Sequence, residues 1–117
     1  MASILKLPGR LRHVANRYFR EILPVKRAVL RTAPMPVRTD GPFDIHMLCG
    51  HRYAYYAIAC LKSFYRAAPV AYPLVFHDDG TLSSQDVAVI REHFPGVRII
   101  GRSHADRERH AGEHSAA

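Results

Sequence analysis

Two short segments carry the side chains best suited to chemistry. His77-Asp78-Asp79-Gly80-Thr81 gathers an imidazole, two carboxylates and a hydroxyl, and Cys49-Gly50-His51-Arg52 gathers a thiol, an imidazole and a guanidinium. Carboxylates at Asp78 and Asp79 can accept from a ribose hydroxyl or a base N–H, or bind a hard cation. His51 and Arg52 can meet a phosphate, above all at a helix start. Gly80 can take a positive φ or let a ligand approach the backbone. By residue type alone, Asp78-Asp79-Gly80 is equally a good turn, and His51 equally a surface residue. A third group, His110-Ala111-Gly112-Glu113-His114, sets two histidines at i and i+4, with His104 nearby. On a helix that pair would chelate a transition metal. Gly112 and the polar composition oppose a helix, so residues 104–117 are expected to be disordered.

The periodicity around these segments defines what must position them. Phe43 to Cys49 alternates and then turns apolar, as a strand does, and Gly50 ends it. Tyr53 to Ala67 reads as a helix with Ala54, Ile58, Leu61 and Tyr65 on one face, flanked by Ala57 and Phe64. Leu74-Val75-Phe76-His77 is a short apolar run, the pattern of a strand buried on both faces. Ser83 is a candidate N-cap, with Asp86 at the capping-box position and Leu82 and Val87 at the staple positions. Val87, Ile90 and Phe94 give that helix its buried face. Pro95-Gly96 stops it, and Val97 to Ile100 forms a third strand. The sequence therefore predicts an α/β fold, a partial Rossmann-like β-α-β-α-β unit with parallel strands. In such sheets ligands bind outside the carboxyl ends of the strands. That rule brings Cys49, Gly50 and His51 to the same edge as Asp78, Asp79 and Gly80.

The ordered α/β part spans roughly 60 residues, where a single core becomes marginal. Three strands also leave a sheet edge open. The expectation is a fragment of a larger domain, or a sheet completed by the N-terminal helices or by a partner chain.

Charge divides the chain unevenly. Residues 1–38 hold nine Lys or Arg against one acid, whereas residues 39–117 hold eight against nine. The net charge of +7 thus resides in the N-terminal arm. Residues 10–23 read as a basic amphipathic helix with Leu11, Val14, Ala15, Tyr18, Phe19, Ile22 and Leu23 at helical spacing, closed by Pro24. A second basic, apolar stretch covers Val25 to Leu30, and Thr32 to Pro36 is a linker broken by two prolines. Three readings fit this arm: a helix packed on a domain face, docking of residues 1–31 on an anionic membrane surface, or organellar targeting. The resulting domains are 1–38, 39–103 and 104–117. Cys49 and Cys60 read as free thiols, and no secretory signal or membrane-spanning run is visible. The expected location is cytoplasmic or membrane-peripheral. No glycine-rich phosphate loop or aromatic-basic surface points to a specific nucleic acid.

A longer pattern links these pieces: the first strand at Phe43–Cys49, the helix bearing Ala57-Ile58-Ala59-Cys60-Leu61-Lys62-Ser63, the run Leu74 to Leu82, and the continuation Glu92 to Ile100. From Phe43 to about Ser103 it resembles the start of a GT-A-type glycosyltransferase, the nucleotide-sugar-dependent class. The resemblance implies that Asp78 and Asp79 contact the base or ribose, with Cys49, Gly50 and His51 near the nucleotide. Complete members of that class also carry an Asp-x-Asp motif for a divalent cation, Mn or Mg, and an acceptor-binding half. No Asp-x-Asp occurs in this sequence. The expectation is therefore a truncated glycosyltransferase-like domain that keeps part of a donor site, inactive alone, with no catalytic residue and no cofactor of its own. Val75 to Leu82 also resembles the first motif of haloacid-dehalogenase-type phosphatases, hydrophobic-Asp-x-Asp-Gly-Thr-Leu. There the first Asp is the nucleophile and the second the acid/base. His77 stands at the first of those positions and Asp79 at the second. A non-catalytic docking module built on the basic arm is the reading from a different class.

Overall fold

The computed structural model describes residues 8–101. The disorder expected for residues 104–117, and the histidines His104, His110 and His114, lie outside the described residues. The chain divides into two compact units, residues 1–32 and 33–117.

In the first unit, α1 (Gly9–Arg17) continues through a π-helical turn (Tyr18–Ile22) into α2 (Leu23–Leu30). This corrects the expectation that Pro24 closes the helix. Leu23 N–H reaches back five residues to Tyr18 O, and Pro24 then falls in the first turn of α2. A proline is tolerated there because its missing N–H is not needed, and the π turn re-registers the chain around its ring. Arg17 and Glu21 form an i,i+4 pair at 3.3 Å, and the Thr32 hydroxyl donates to Val29 O at 2.6 Å to close α2.

The second unit is α/β and is consistent with a partial Rossmann-like unit. Its elements are β1 (Ile45–Cys49), a 3-10 turn (His51–Tyr53), α3 (Ala54–Ala67), β2 (Leu74–Asp78), α4 (Ser84–His93) and β3 (Arg98–Ile100). The sheet is parallel in the order β1-β2-β3. Ile45, Met47 and Cys49 lie opposite Leu74, Phe76 and Asp78, and Phe76 lies opposite Ile99. Opposed residues share a face, because side chains alternate along each strand. One face therefore carries Met47, Cys49, Leu74, Phe76 and Ile99. The other carries His46, Leu48, Val75, His77 and Ile100.

Two crossovers of one hand that step in one direction put α3 and α4 on the same face, and the two helices touch. Ala54, Ala57, Ile58, Leu61 and Tyr65 form the buried stripe of α3, as the spacing predicts. Val89 and Ile90 are buried on α4, while Val87 is only half-buried. Phe76 and Phe94 are fully buried, each excluding enough apolar surface to stabilise the unit by about 2–3 kcal/mol. The opposite face is open along β1, where Leu48 is 71 % exposed.

Local sequence explains the element ends. Ala68 precedes Pro69, so it turns extended (φ −74°, ψ 140°) and stops α3. Ser83 and Asp86 form a full capping box at the start of α4. Gly96 adopts φ 95°, and a Cβ there would stand 2.7 Å from Val37 O. That close approach belongs to a strap. Residues 33–38 have no regular structure, yet Met35 N–H donates to His93 O, Val37 N–H to Pro95 O and Arg38 N–H to Ala71 O. Lys62 Nζ, buried, donates to Ala33 O at 2.8 Å and to His93 Nδ1 at 2.7 Å. The stretch read as linker is thus stitched into the α/β unit.

Candidate functional site

The site is built at the carboxyl ends of β1 and β2. Asp79 N–H donates to Cys49 O at 3.2 Å, and His51 N–H donates to the Thr81 hydroxyl at 2.9 Å. These two bonds join the loop after β1 to the loop after β2. Cys49, Gly50 and His51 therefore meet Asp78, Asp79 and Gly80 in one corner. Gly50 is required there by space. A Cβ at that position would overlap the Asp79 carboxylate and the Thr81 hydroxyl.

The second loop is held by its own carboxylates. Asp78 Oδ1 accepts from Gly80 N–H at 2.7 Å and from Leu82 N–H at 3.1 Å. Asp79 Oδ1 accepts from Thr81 N–H at 2.9 Å and from the Thr81 hydroxyl at 2.6 Å. Gly80 takes φ 103°, a conformation that side chains disfavour. One oxygen of each aspartate thus shapes the loop. The loop is an Asx-type turn and a carboxylate pair at once.

Asp86, which the sequence reading treats only as a helix cap, joins the corner through His51. Its Oδ2 accepts from Ser83 N–H at 3.0 Å and lies 2.7 Å from His51 Nδ1. Burial alone would raise the Asp86 pKa. Hydrogen bonds from Ser83 and His51 more than offset that and hold it below its ordinary value of 3.8. An ionised carboxylate only accepts, so His51 Nδ1 carries the proton and donates. Asp86 is buried, whereas the His51 side chain is 67 % exposed. A buried carboxylate thereby orients an exposed imidazole across 35 positions of sequence. No local pattern in the sequence announces that pair.

Cys49 is buried beneath the corner. Burial first, then the charges of Asp79, Asp78 and Asp86, push its thiol up to about 11. The thiol stays protonated at neutral pH and is a poor nucleophile. The same three carboxylates make the corner electronegative. It suits hydroxyl and N–H donors, or a cation, better than a bare phosphate. The Arg52 guanidinium lies over the Tyr53 ring, 5.4 Å from its centre.

His77 departs from the corner. Strand alternation sends its side chain to the other face of the sheet, where its Nε2 lies 2.8 Å from His46 Nδ1. Among the described residues no three His, Cys, Asp or Glu side chains converge as a metal site. A cavity of about 240 Å³ lies away from the corner, at the amino ends of β2 and β3, where Arg38, Asp40, Asp44, Val75 and Arg98 line it. No helix among the described residues is long and apolar enough to cross a membrane.

Comparison with protein-family models, with curated proteins and with solved structures finds no match to this chain.

Proposed function

We propose that the α/β unit is the nucleotide-contacting part of a nucleotide-sugar-dependent transferase fold, and that it binds without catalysing transfer. One observation carries the reading. The loops after β1 and β2 are bonded together at the carboxyl edge of a parallel sheet, where such folds take ligands. Asp78 fixes the turn through Oδ1 alone, and its second carboxylate oxygen is able to accept from ribose hydroxyls or base N–H groups. Gly80 leaves the backbone approachable. The negative corner favours the nucleoside end of the donor, and a diphosphate would enter with Mn²⁺ or Mg²⁺ between the charges. The sequence holds no Asp-x-Asp to fix such an ion, so no turnover of a nucleotide sugar is expected.

Calorimetric titration with uridine and guanosine diphosphates, with and without Mn²⁺, tests this. Binding should appear with the folded chain and weaken about tenfold, or roughly 1.4 kcal/mol, in Asp78→Ala. Unchanged binding by a folded Asp78→Ala/Asp79→Ala variant would remove the site from consideration.

A second reading concerns the N-terminal unit. Leu11, Val14 and Phe19 are 54 %, 59 % and 47 % exposed on a helix whose Arg10, Arg12 and Arg20 are also exposed. Exposed apolar side chains interleaved with arginines are the pattern of a helix that lies in an anionic membrane interface. Flotation with phosphatidylserine vesicles against phosphatidylcholine vesicles tests it. Equal recovery on both, or recovery that survives deletion of residues 1–31, counts against it.

A further inference from the structure

We propose that His46 and His77 form a two-histidine chelate for a borderline divalent transition-metal ion, with copper(II) preferred. The pair lies on the open face of the sheet, opposite the face that carries Cys49 and Asp78, so it is independent of the nucleotide reading.

The backbone sets the geometry. Register places His46 opposite Val75 and His77 opposite Leu48, which makes the two histidines diagonal neighbours on adjacent strands. His46 Nδ1 and His77 Nε2 face each other at 2.8 Å. The ring centroids are 5.1 Å apart and the planes differ by 25°, so the rings meet end to end. Two nitrogens bound at ~2.0 Å to one ion lie ~2.8 Å apart at a right angle and ~3.3 Å apart at a tetrahedral angle. The observed 2.8 Å is that of the hydrogen bond the pair makes without metal, and it holds both nitrogens within reach of one ion once that bond opens; a right-angled pair is the preference of tetragonal copper(II) and nickel(II). Chelation requires the two rings to rotate about their side-chain bonds so that both lone pairs turn towards the ion.

The chemistry balances simply. One ring nitrogen of the pair now donates its proton to the other. On coordination that ring takes its other tautomer, with the proton moving to the distal nitrogen through water, and the ion replaces the shared proton. Two bonds to the metal form and two waters leave it. Among the described residues no third His, Cys, Asp or Glu joins the pair, so water completes the coordination. His46 is exposed and His77 half-buried, which leaves the approach open to solvent. Among divalent first-row ions at nitrogen sites copper(II) binds most tightly, so it should lead nickel(II) and zinc(II).

The test uses the full chain with His104, His110 and His114 changed to Gln, which removes the tail histidines as rivals. Copper(II) sulfate is titrated by calorimetry in a weakly coordinating buffer, and the bound ion is read by electron paramagnetic resonance. One equivalent with two-nitrogen hyperfine structure is expected. His46→Gln and His77→Gln should each lower affinity about tenfold or more, since even outer-shell changes cost ~10–100-fold. His51→Gln should leave it unchanged. Circular dichroism identifies any variant that fails to fold. Absence of a stoichiometric ion, unaltered affinity in folded His46→Gln and His77→Gln, or a loss found with His51→Gln instead would each overturn the proposal.

Discussion

Gly50→Ala is a sharp test of the corner because the added methyl has one place to go. It would overlap the Asp79 carboxylate and the Thr81 hydroxyl. Relief requires those side chains to move. Three hydrogen bonds depend on their positions: Thr81 N–H to Asp79, the Thr81 hydroxyl to Asp79, and His51 N–H to the Thr81 hydroxyl. Each is exposed, and at somewhat under 1 kcal/mol apiece, within the usual net range, they amount to about 2–3 kcal/mol. The backbone itself does not object, because Gly50 sits at φ −130° and ψ −172°, which alanine adopts freely. Removing a glycine from the unfolded chain returns about 0.5–1 kcal/mol. The net loss is therefore about 1–2 kcal/mol, a large share of the ~5 kcal/mol typical of a small unit. Urea denaturation followed by circular dichroism measures it. In an Asp79→Ala/Thr81→Ala background the obstructing atoms are gone, and Gly50→Ala should become neutral or slightly stabilising. Equal cost in both backgrounds, or no cost in the parent chain, would refute the steric account.

Phe76→Ala empties the centre of the sheet at a fully buried position and should cost about 3–5 kcal/mol, leaving the unit largely unfolded; a parent-like urea midpoint would contradict this. Burial first, and then the Lys62 charge, hold the His93 pKa below 6.5. A depressed folded pKa gives stability that is full above the unfolded value and is lost as pH falls from about 6.5 towards the folded value. The urea midpoint should drop between pH 7.5 and pH 5, and less so in His93→Gln; equal pH dependence in both chains would contradict it. Cys60 is exposed, whereas Cys49 is buried with its thiol pushed up to about 11. Dithionitrobenzoate at pH 8 should label one thiol in the native chain and the second only on unfolding, and two fast equivalents would contradict the burial of Cys49.

The α/β unit was largely legible because its signals are local. The Ser83–Asp86 capping box lies within a single turn, and both of its bonds are present. The α3 stripe follows from spacing alone, and all four of its expected core positions are buried. Convergence of the two loops followed from the parallel-sheet rule. What escaped depends on the third dimension. His51 and Asp86 share no local pattern, and strand alternation separates His77 from the aspartates it precedes. Pro24 misled because a π turn, which has no sequence signature of its own, moved it to a tolerated position. The strap at residues 33–38 misled because two prolines exclude regular structure without excluding hydrogen bonds to neighbouring segments.

After β1, each strand of the sheet pairs with the strand just before it in the chain. Assembly can therefore follow the order of synthesis. Joining Ile45 to Leu74, and then Val75 to Arg98, closes two loops of similar length, and their entropic costs differ by only about 0.2 kcal/mol. Neither closure waits for a distant segment. A nascent chain can lay β2 on β1 while β3 is still inside the ribosome, with α3 already in place beneath them. The unit is built to add one strand at a time, each finding the edge that its predecessor has just left.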